Sequence, residues 1–147
     1  MKVCFVCYAN ICRSYLAQEL LRKLACDGAR ADIEVFSRGI FAQSYFTVPT
    51  KIKLFLMQCG VEPKEHIPTL VSKQDMQEAD LILAMTKEQA EYLKDNFAQF
   101  SDKIFLFMDY AFGLEEDMKD PVGIEGGGFQ KIAAKIKSAV EKIYQKL

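Results

Sequence analysis

Short apolar runs alternate with segments of helical periodicity along the 147-residue chain. The apolar runs have the β-branched and aromatic composition of buried strands, and they lie at residues 2–6, 33–36, 81–85 and 104–108. Parallel strands need a crossover between them, usually a helix, and the helices then cover both faces of the sheet. The right-handed crossover rule leaves few topologies for such a chain. We therefore predict one α/β domain over residues 1–147, with a four-stranded parallel sheet flanked by helices on both faces.

The predicted helices are bounded by recognisable start and stop residues. In the first helix, Leu16, Leu20 and Leu24 recur at helical spacing after Ser14, and Gly28 ends it. We predict further helices at 49–59, 72–79, 86–97 and 128–147. Three segments are predicted to be turns or loops, namely 37–39, 61–71 and 109–127. Ligands of parallel sheets bind beyond the carboxyl ends of the strands, which directs attention to the loop after the first strand.

Composition argues against several classes of partner. A net charge of -1 gives no reason to expect binding to nucleic acid or to an anionic membrane. The amino end runs directly into a strand-like segment, and no apolar stretch approaches the roughly 18 residues of a membrane span, so we expect a cytoplasmic location. Five cysteines, an odd number, predict free thiols, and with His66 as the single histidine we expect no zinc site and no cofactor.

The segment CYANICRS at residues 7–14 joins the first predicted strand to the first predicted helix. A loop that curls before a helix turns its backbone N–H groups inward, and the helix dipole adds partial positive charge, which together make an anion cradle. Arg13 adds a bidentate guanidinium grip on phosphate oxygens. Cys7, favoured as a thiolate by the N–H groups, can attack phosphorus in line, and Ser14 is placed to donate a hydrogen bond to its sulfur.

This loop resembles the phosphate-binding loop of the low-molecular-weight protein tyrosine phosphatases, which commonly reads C-x-G-N-I-C-R-S-P. Further matches follow in order: SRGI at 37–40, His66, ADLILAM at 79–85 and Asp120-Pro121 resemble the family's S-A-G-T stretch, its histidine, its third strand and the start of its D-P-Y-Y-G loop. The resemblance implies hydrolysis of aryl phosphate monoesters, phosphotyrosine above all, through a cysteinyl phosphate and without a metal. The expected partner is a phosphotyrosine-containing protein or a small aryl phosphate, and the expected state is a monomer or weak dimer.

The resemblance also implies a role for each site residue. Cys7 attacks, Arg13 holds the phosphoryl oxygens, and Asp120 first protonates the leaving oxygen and then activates water. Phosphate binding falls to the whole loop, namely Tyr8, Ala9, Asn10, Ile11, Cys12, Arg13 and Ser14. Support of the loop falls to Asn10, Ser14, Ser37 and His66. Asparagine suits its position independently, since it tolerates left-handed backbone angles.

Two assignments have alternatives in the sequence. Cys12 is either a residue packed behind the cradle or a redox partner that captures an oxidised Cys7 as a disulfide. The general acid is Asp120 because a proline follows it and fixes the backbone. The same loop also contains Asp109 and the run Glu115-Glu116-Asp117, which we interpret as a solvated face.

The chain departs from the family pattern at several positions. Ala9 replaces a glycine, and Tyr15 replaces a proline, so that its ring could edge the pocket. Val122-Gly123 stands where the family has two tyrosines, which removes an aromatic wall of the pocket. A replacement wall is sought among Tyr8, Phe41, Tyr45 and Phe46.

Other functions compete with this one. An arsenate reductase needs redox cysteines later in the chain, and none follows Cys59. A protein-arginine phosphatase is a closer alternative, but that branch has threonine where this chain has Ile11, which favours a flat aryl ring. A phosphocarrier or an oxyanion-binding module is argued against by Asp120, since such a protein gains nothing from hydrolysing its phosphocysteine.

Overall fold

The computed structural model describes residues 1–124 and 126–147. Its four strands are β1 (Lys2–Cys7), β2 (Glu34–Gly39), β3 (Leu81–Ala84) and β4 (Ile104–Leu106). They form one sheet in the order β2-β1-β3-β4, and every pair is parallel. This confirms the predicted α/β architecture, with β1 in the interior of the sheet.

The helices are α1 (Arg13–Asp27), α2 (Thr50–Gln58), α3 (Lys73–Glu78), α4 (Lys87–Asn96), α5 (Phe107–Phe112) and α6 (Gly127–Gln145), with a 3₁₀ helix at Ala98–Lys103. Two of them begin with a capping box, in which Ser72 pairs with Asp75 at α3 and Thr86 pairs with Gln89 at α4. No helix in the described part of the chain is both long and apolar enough to cross a membrane.

Strand β1 divides its side chains between two hydrophobic cores. Val3, Phe5 and Cys7 belong to the larger core, which contains apolar residues of α1, α2, α5 and α6. Cys4 and Val6 point to the other face, where residues of α3 and α4 pack. This alternation is the period of two that a strand imposes on its side chains. Cys7 therefore lies at the end of a strand that is buried on both faces.

Two predicted boundaries were wrong. The fourth strand stops at Leu106, and α5 follows where strand and loop were predicted. Phe107, Met108 and Ala111 are buried at helical spacing, and α5 ends at Gly113, whose φ is 71°. Strand β2 continues through 37–39, where a turn was predicted, because these residues pair with the last three residues of β1.

Candidate functional site

The loop between β1 and α1 closes around a small cavity at the carboxyl edge of the sheet. Asn10 has a φ of 62°, which confirms the prediction of a left-handed backbone there. The loop leads directly into α1, whose first residue is Arg13. The cavity has a volume of about 140 Å³ and is lined by Cys7, Tyr8, Ala9, Ile11, Cys12, Arg13, Pro49, Asp120 and Val122. The structure therefore brings the predicted nucleophile, arginine and acid to one place.

The side chain of Asn10 is the centre of a buried hydrogen-bond network. The backbone N–H of Thr69 donates to Asn10 Oδ1 at 3.0 Å, and this contact fixes which end of the amide is which. The Nδ2 group then donates to Ser14 Oγ and to Ser37 Oγ, both at 2.9 Å. The hydroxyl of Ser37 in turn donates a hydrogen bond to Gln18 Oε1 at 2.7 Å. Three predicted support residues are thus linked in one network.

The Asn10–Ser14 hydrogen bond bears on which atom can donate to the sulfur of Cys7. Ser14 Oγ accepts a hydrogen bond from Asn10, and its own hydroxyl proton is available to be donated to Cys7 Sγ, which lies 2.9 Å away. A hydroxyl that donates to sulfur stabilises the thiolate form. The network therefore places a hydrogen-bond donor beside the sulfur that we predict to be the nucleophile.

Arg13 is buried and only partly satisfied. Its side chain is 8% exposed, and one terminal nitrogen donates to the carbonyl oxygen of Met118 at 2.9 Å. Its Nε atom is buried and has no hydrogen-bond partner among the described residues. A buried unpaired donor is costly, and an anion in the cavity would supply the missing acceptor. This atom is the clearest structural indication of an oxyanion ligand.

Asp120 is exposed and lines the mouth of the cavity. Its Oδ1 accepts from the N–H of Val122 at 3.0 Å, within its own segment, while Pro121 beside it is buried. The Cys12 thiol is 6% exposed, and its burial is the main reason that its pKa is raised to about 12. The nearby Asp120 carboxylate and Cys7 raise the pKa of Cys12 further. Both cysteines of the loop are free thiols.

His66 contacts the loop from behind. Its Nε2 lies 2.7 Å from the carbonyl oxygen of Asn10, which can only accept, so Nε2 carries the proton. The ring packs on Tyr15 with 4.4 Å between centroids. Burial lowers the pKa of His66 below its usual value. The His66 side chain is therefore a neutral hydrogen-bond donor that holds the loop at the left-handed residue Asn10.

Tyr15 does not edge the pocket, which corrects our expectation. It is 1% exposed and lies under His66, and its hydroxyl donates to the carbonyl oxygen of Lys64 at 3.3 Å. Burial raises the pKa of Tyr15 to about 12. Helix α1 is buried over its first turns, so a residue at this position packs inward.

Of the four aromatic residues considered as a replacement wall, Tyr8 lines the cavity. Its ring stacks on Phe41 with 5.3 Å between centroids and 25° between planes, and the Phe41 N–H donates to the Tyr8 carbonyl. Tyr45 and Phe46 pair with each other and line a different cavity with His66. A stacked pair at one side of the mouth thus provides the aromatic surface.

Sequence reasoning missed four contributors to the site: Gln18, Gly39, Thr69 and Met118. A Cβ on Gly39 would lie 2.6 Å from the Tyr8 carbonyl oxygen and 3.0 Å from the Asn10 nitrogen, so glycine permits β2 to approach the loop. Gln18 had a detectable signal, since it follows Ser14 by four residues on the same side of α1. Thr69 and Met118 act through backbone atoms, which leave no pattern in a sequence.

The sequence model of the low molecular weight phosphotyrosine protein phosphatase family matches residues 2–147. The chain belongs to this family. Among relatives, it is 30% identical over 125 residues to a protein-arginine-phosphatase of Bacillus subtilis (84% of this chain, 81% of the relative). It is 29% identical over 148 residues to a low molecular weight protein-tyrosine-phosphatase of the same organism (97% and 93%).

Solved structures agree with the family assignment. A low molecular weight protein tyrosine phosphatase from T. tengcongensis superposes with a TM-score of 0.93 at 30% identity, covering 100% of this chain and 99% of the other. An arginine phosphatase from Geobacillus stearothermophilus gives 0.88 at 26% identity, covering 99% and 91%. Tyrosine phosphatases and arginine phosphatases of the family are thus similar to this chain to a comparable degree. The choice of substrate must therefore be argued from the site.

Proposed function

We propose that this protein is a cysteine-dependent protein tyrosine phosphatase that hydrolyses aryl phosphate monoesters through a cysteinyl phosphate. The observation that carries the proposal is the buried Nε of Arg13, which has no hydrogen-bond partner in residues 1–124 and 126–147 and lies beside the loop that holds Cys7 and Ser14 at hydrogen-bond distance. A phosphoryl group seated there satisfies the arginine and stands in front of the sulfur. No other group in the mechanism needs to bring positive charge, since the loop amides and Arg13 supply it.

In the first step Cys7 Sγ attacks phosphorus on the side opposite the ester oxygen. The S–P bond forms as the P–O bond breaks, and the carboxyl of Asp120 gives its proton to the departing aryl oxygen. Arg13 and the loop amides hold the three equatorial oxygens, which carry the charge of the transition state. The products of this step are a phenol and a cysteinyl phosphate.

In the second step a water molecule attacks the cysteinyl phosphate. Asp120, now a carboxylate, takes a proton from the water as its oxygen bonds to phosphorus, and the S–P bond breaks. The electron pair returns to Cys7, where the hydroxyl proton of Ser14 stabilises it. Inorganic phosphate then leaves, and the enzyme regains its starting protonation.

The walls of the cavity favour an aryl substrate. Tyr8, Ile11, Pro49 and Val122 present apolar surface at the mouth, which suits a flat ring better than a charged guanidino group. The alternative, a protein-arginine phosphatase, is supported by the relatives of that name. Ile11 argues against it, because a threonine occupies this loop position in that branch.

The phosphatase activity and the preference for phosphotyrosine can be tested in one experiment. Purified, reduced protein is assayed on phosphotyrosine and phosphoarginine peptides of the same sequence. We expect kcat/KM for phosphotyrosine to be at least about 10-fold higher, and the Cys7→Ser variant to be inactive on both. A preference for phosphoarginine would change the substrate assignment. Failure to hydrolyse either peptide would end the phosphatase proposal, and arsenate reduction would then be assayed.

Cys12 is proposed as the redox partner of Cys7, because both thiols line the same cavity. Peroxide oxidises the Cys7 thiolate to a sulfenic acid, the Cys12 sulfur attacks it, and water leaves as the disulfide forms. Reductant then restores both thiols. If the Cys12→Ser variant recovered from peroxide as fully as wild type, this role would be wrong. A cytoplasmic location and a monomeric or weakly dimeric state stay predictions.

A further inference from the structure

The segment that carries Asp120 is fixed to the body of the protein at Met118. This residue is 2% exposed. Its N–H donates to the carbonyl oxygen of Met85, just beyond β3, at 2.8 Å. Its carbonyl oxygen accepts from Arg13 at 2.9 Å. Both backbone groups of one residue therefore connect the acid segment to the sheet and to the phosphate-binding loop.

A second anchor lies one residue earlier. Asp117 Oδ1 accepts from the backbone N–H of Lys87, the first residue of α4, at 2.8 Å. The first N–H groups of a helix have no acceptor within the helix, and the helix dipole favours a negative charge there. The capping box of Thr86 and Gln89 uses other backbone groups, so Asp117 completes the start of α4 from a distant part of the chain.

The rest of the acid segment is held less firmly. Lys119, Asp120 and Val122 are exposed, and the hydrogen bond of the Asp120 carboxylate is to Val122 inside the same segment. The position of Asp120 relative to the cavity therefore depends on the anchors at 117 and 118 on one side and on the buried Pro121 on the other. Met118 is held by its backbone groups and by its buried side chain, and Asp117 adds a polar side chain to this anchoring.

We propose that Asp117 is a positioning residue, whose contact with the start of α4 holds Asp120 where it can protonate the leaving oxygen. The inference rests on the proposed function of Asp120 as the general acid. It also adds to our interpretation of the run Glu115-Glu116-Asp117 as a solvated face, which the exposure of all three residues confirms. Glu116 fits that interpretation, since its pairing with Lys135 at 3.8 Å joins two half-exposed side chains, but the carboxylate of Asp117 has a structural partner.

The contact can be broken from either side with a matched control. Asp117→Ala removes the acceptor, whereas Asp117→Asn keeps an oxygen in its place. Lys87→Pro removes the N–H donor, whereas Lys87→Ala keeps it. Proline is tolerated at the first position of a helix, and Thr86 before it has φ -131° and ψ 159°, the extended conformation that a residue before proline prefers.

The readout is the dependence of kcat/KM on the leaving group, because a misplaced acid affects poor leaving groups more than good ones. Phenyl phosphate needs protonation of its leaving oxygen, and p-nitrophenyl phosphate needs little. We expect Asp117→Ala and Lys87→Pro to lower kcat/KM for phenyl phosphate about 10-fold more than for p-nitrophenyl phosphate. Asp117→Asn and Lys87→Ala should stay near the wild-type ratio, and the double variant Asp117→Ala/Lys87→Pro should lose no more than either single one.

The Asp120→Asn variant serves as the reference that separates two kinds of failure. If Asp120→Asn shows no leaving-group selectivity, the proposed acid is wrong, and the role of Asp117 falls with it. If Asp120→Asn is selective while Asp117→Ala and Lys87→Pro keep the wild-type ratio, the inference about Asp117 alone is overturned. An equal loss on both substrates would also overturn it, since it would report general damage to the site. Should Asp117→Ala fail to fold, Lys87→Pro decides the question.

Discussion

The hydroxyl oxygen of Ser14 lies 2.9 Å from the sulfur of Cys7, and Ser14 is the donor of this bond when Cys7 is a thiolate, which can only accept. The amide of Asn10 donates to the same serine oxygen, whose own proton is available for the sulfur. A hydrogen bond of fixed polarity beside a nucleophile contributes electrostatic stabilisation that is already organised before substrate arrives.

Removing the Ser14 hydroxyl is expected to slow both chemical steps. In Ser14→Ala the thiolate loses a donor as nucleophile and again as leaving group, so we expect kcat for p-nitrophenyl phosphate to fall about 10- to 100-fold. Ser138→Ala, at an exposed position of α6, is the control and should match wild type. Wild-type kcat in Ser14→Ala would show that the bond is not used in catalysis.

Filling the space at Gly39 is expected to disrupt the loop. The added Cβ of Gly39→Ala would stand against the backbone of Tyr8 and Asn10, which cannot rotate away, so we expect a loss of about 1–3 kcal/mol in the free energy of unfolding together with reduced kcat. Gly127→Ala is the matched control, since its Cβ would meet no atom of the described residues within 4 Å. Urea denaturation of both variants measures the difference, and equal stability would contradict the packing argument.

His66 should make stability depend on pH near neutrality. Burial lowers its pKa in the folded protein below the value of 6.5 for the unfolded chain, so the unfolded state binds more protons as the solution is acidified. The free energy of unfolding therefore has its full value above pH 6.5 or so and falls as pH drops from there toward the folded pKa. Urea denaturation between about pH 5.5 and 7.5 tests this.

The histidine contribution can be isolated by difference, because His66 is the only histidine in the chain. His66→Gln lacks the titrating group, so the stability gap between wild type and this variant should shrink as pH falls below about 6.5. A gap that is constant with pH would contradict the prediction.

Closure of the proposed disulfide should accelerate in alkaline solution. The pKa of Cys12 is raised to about 12, and only a thiolate attacks a sulfenic acid rapidly, so the rate should rise about 10-fold per pH unit below that value. Mass spectrometry of samples trapped after a pulse of peroxide measures the conversion. The Asp120→Asn variant lacks one cause of the raised Cys12 pKa, so its disulfide should form faster than that of wild type at the same pH. A rate of disulfide formation that does not change with pH would exclude the Cys12 thiol as the attacking group.

Ala29 offers a stabilising substitution away from the site. It follows α1 with a φ of 54°, a left-handed conformation that glycine adopts without the steric cost of a Cβ. Ala29→Gly should therefore raise the free energy of unfolding by about 1 kcal/mol. The same change at Ala134, exposed in the middle of α6, should lower it by about 1 kcal/mol. If both substitutions had the same sign, the backbone argument would fail.

The sequence indicated those parts of the molecule that local patterns encode. The change of period after Cys7 placed the loop between strand and helix, and the residue type of Asn10 matched its left-handed turn. Helix α5 was missed because its buried residues, Phe107 and Met108, continue the apolar run of β4, and periodicity cannot divide so short a run.

Other features were wrongly predicted or not foreseen because they come from contacts between distant segments. The end of β2 looked like a turn, yet pairing with β1 overrides the local preference of 37–39. The anchoring of Asp117 depends on where α4 happens to begin, and the inward position of Tyr15 depends on His66 packing over it. Such features belong to the tertiary structure and have no signature within a window of sequence.

The Asn10 network has a consequence for the nascent chain. Its partners are separated from Asn10 by 4, 27 and 59 positions, so the hydrogen bonds exist only after β2 and the segment containing Thr69 have been synthesised and have docked. During translation Cys7 is made among the first residues, yet its supporting network forms after nearly half of the chain has left the ribosome. The sulfur of Cys7 therefore gains its ordered hydrogen-bond partners only once a folded domain surrounds it.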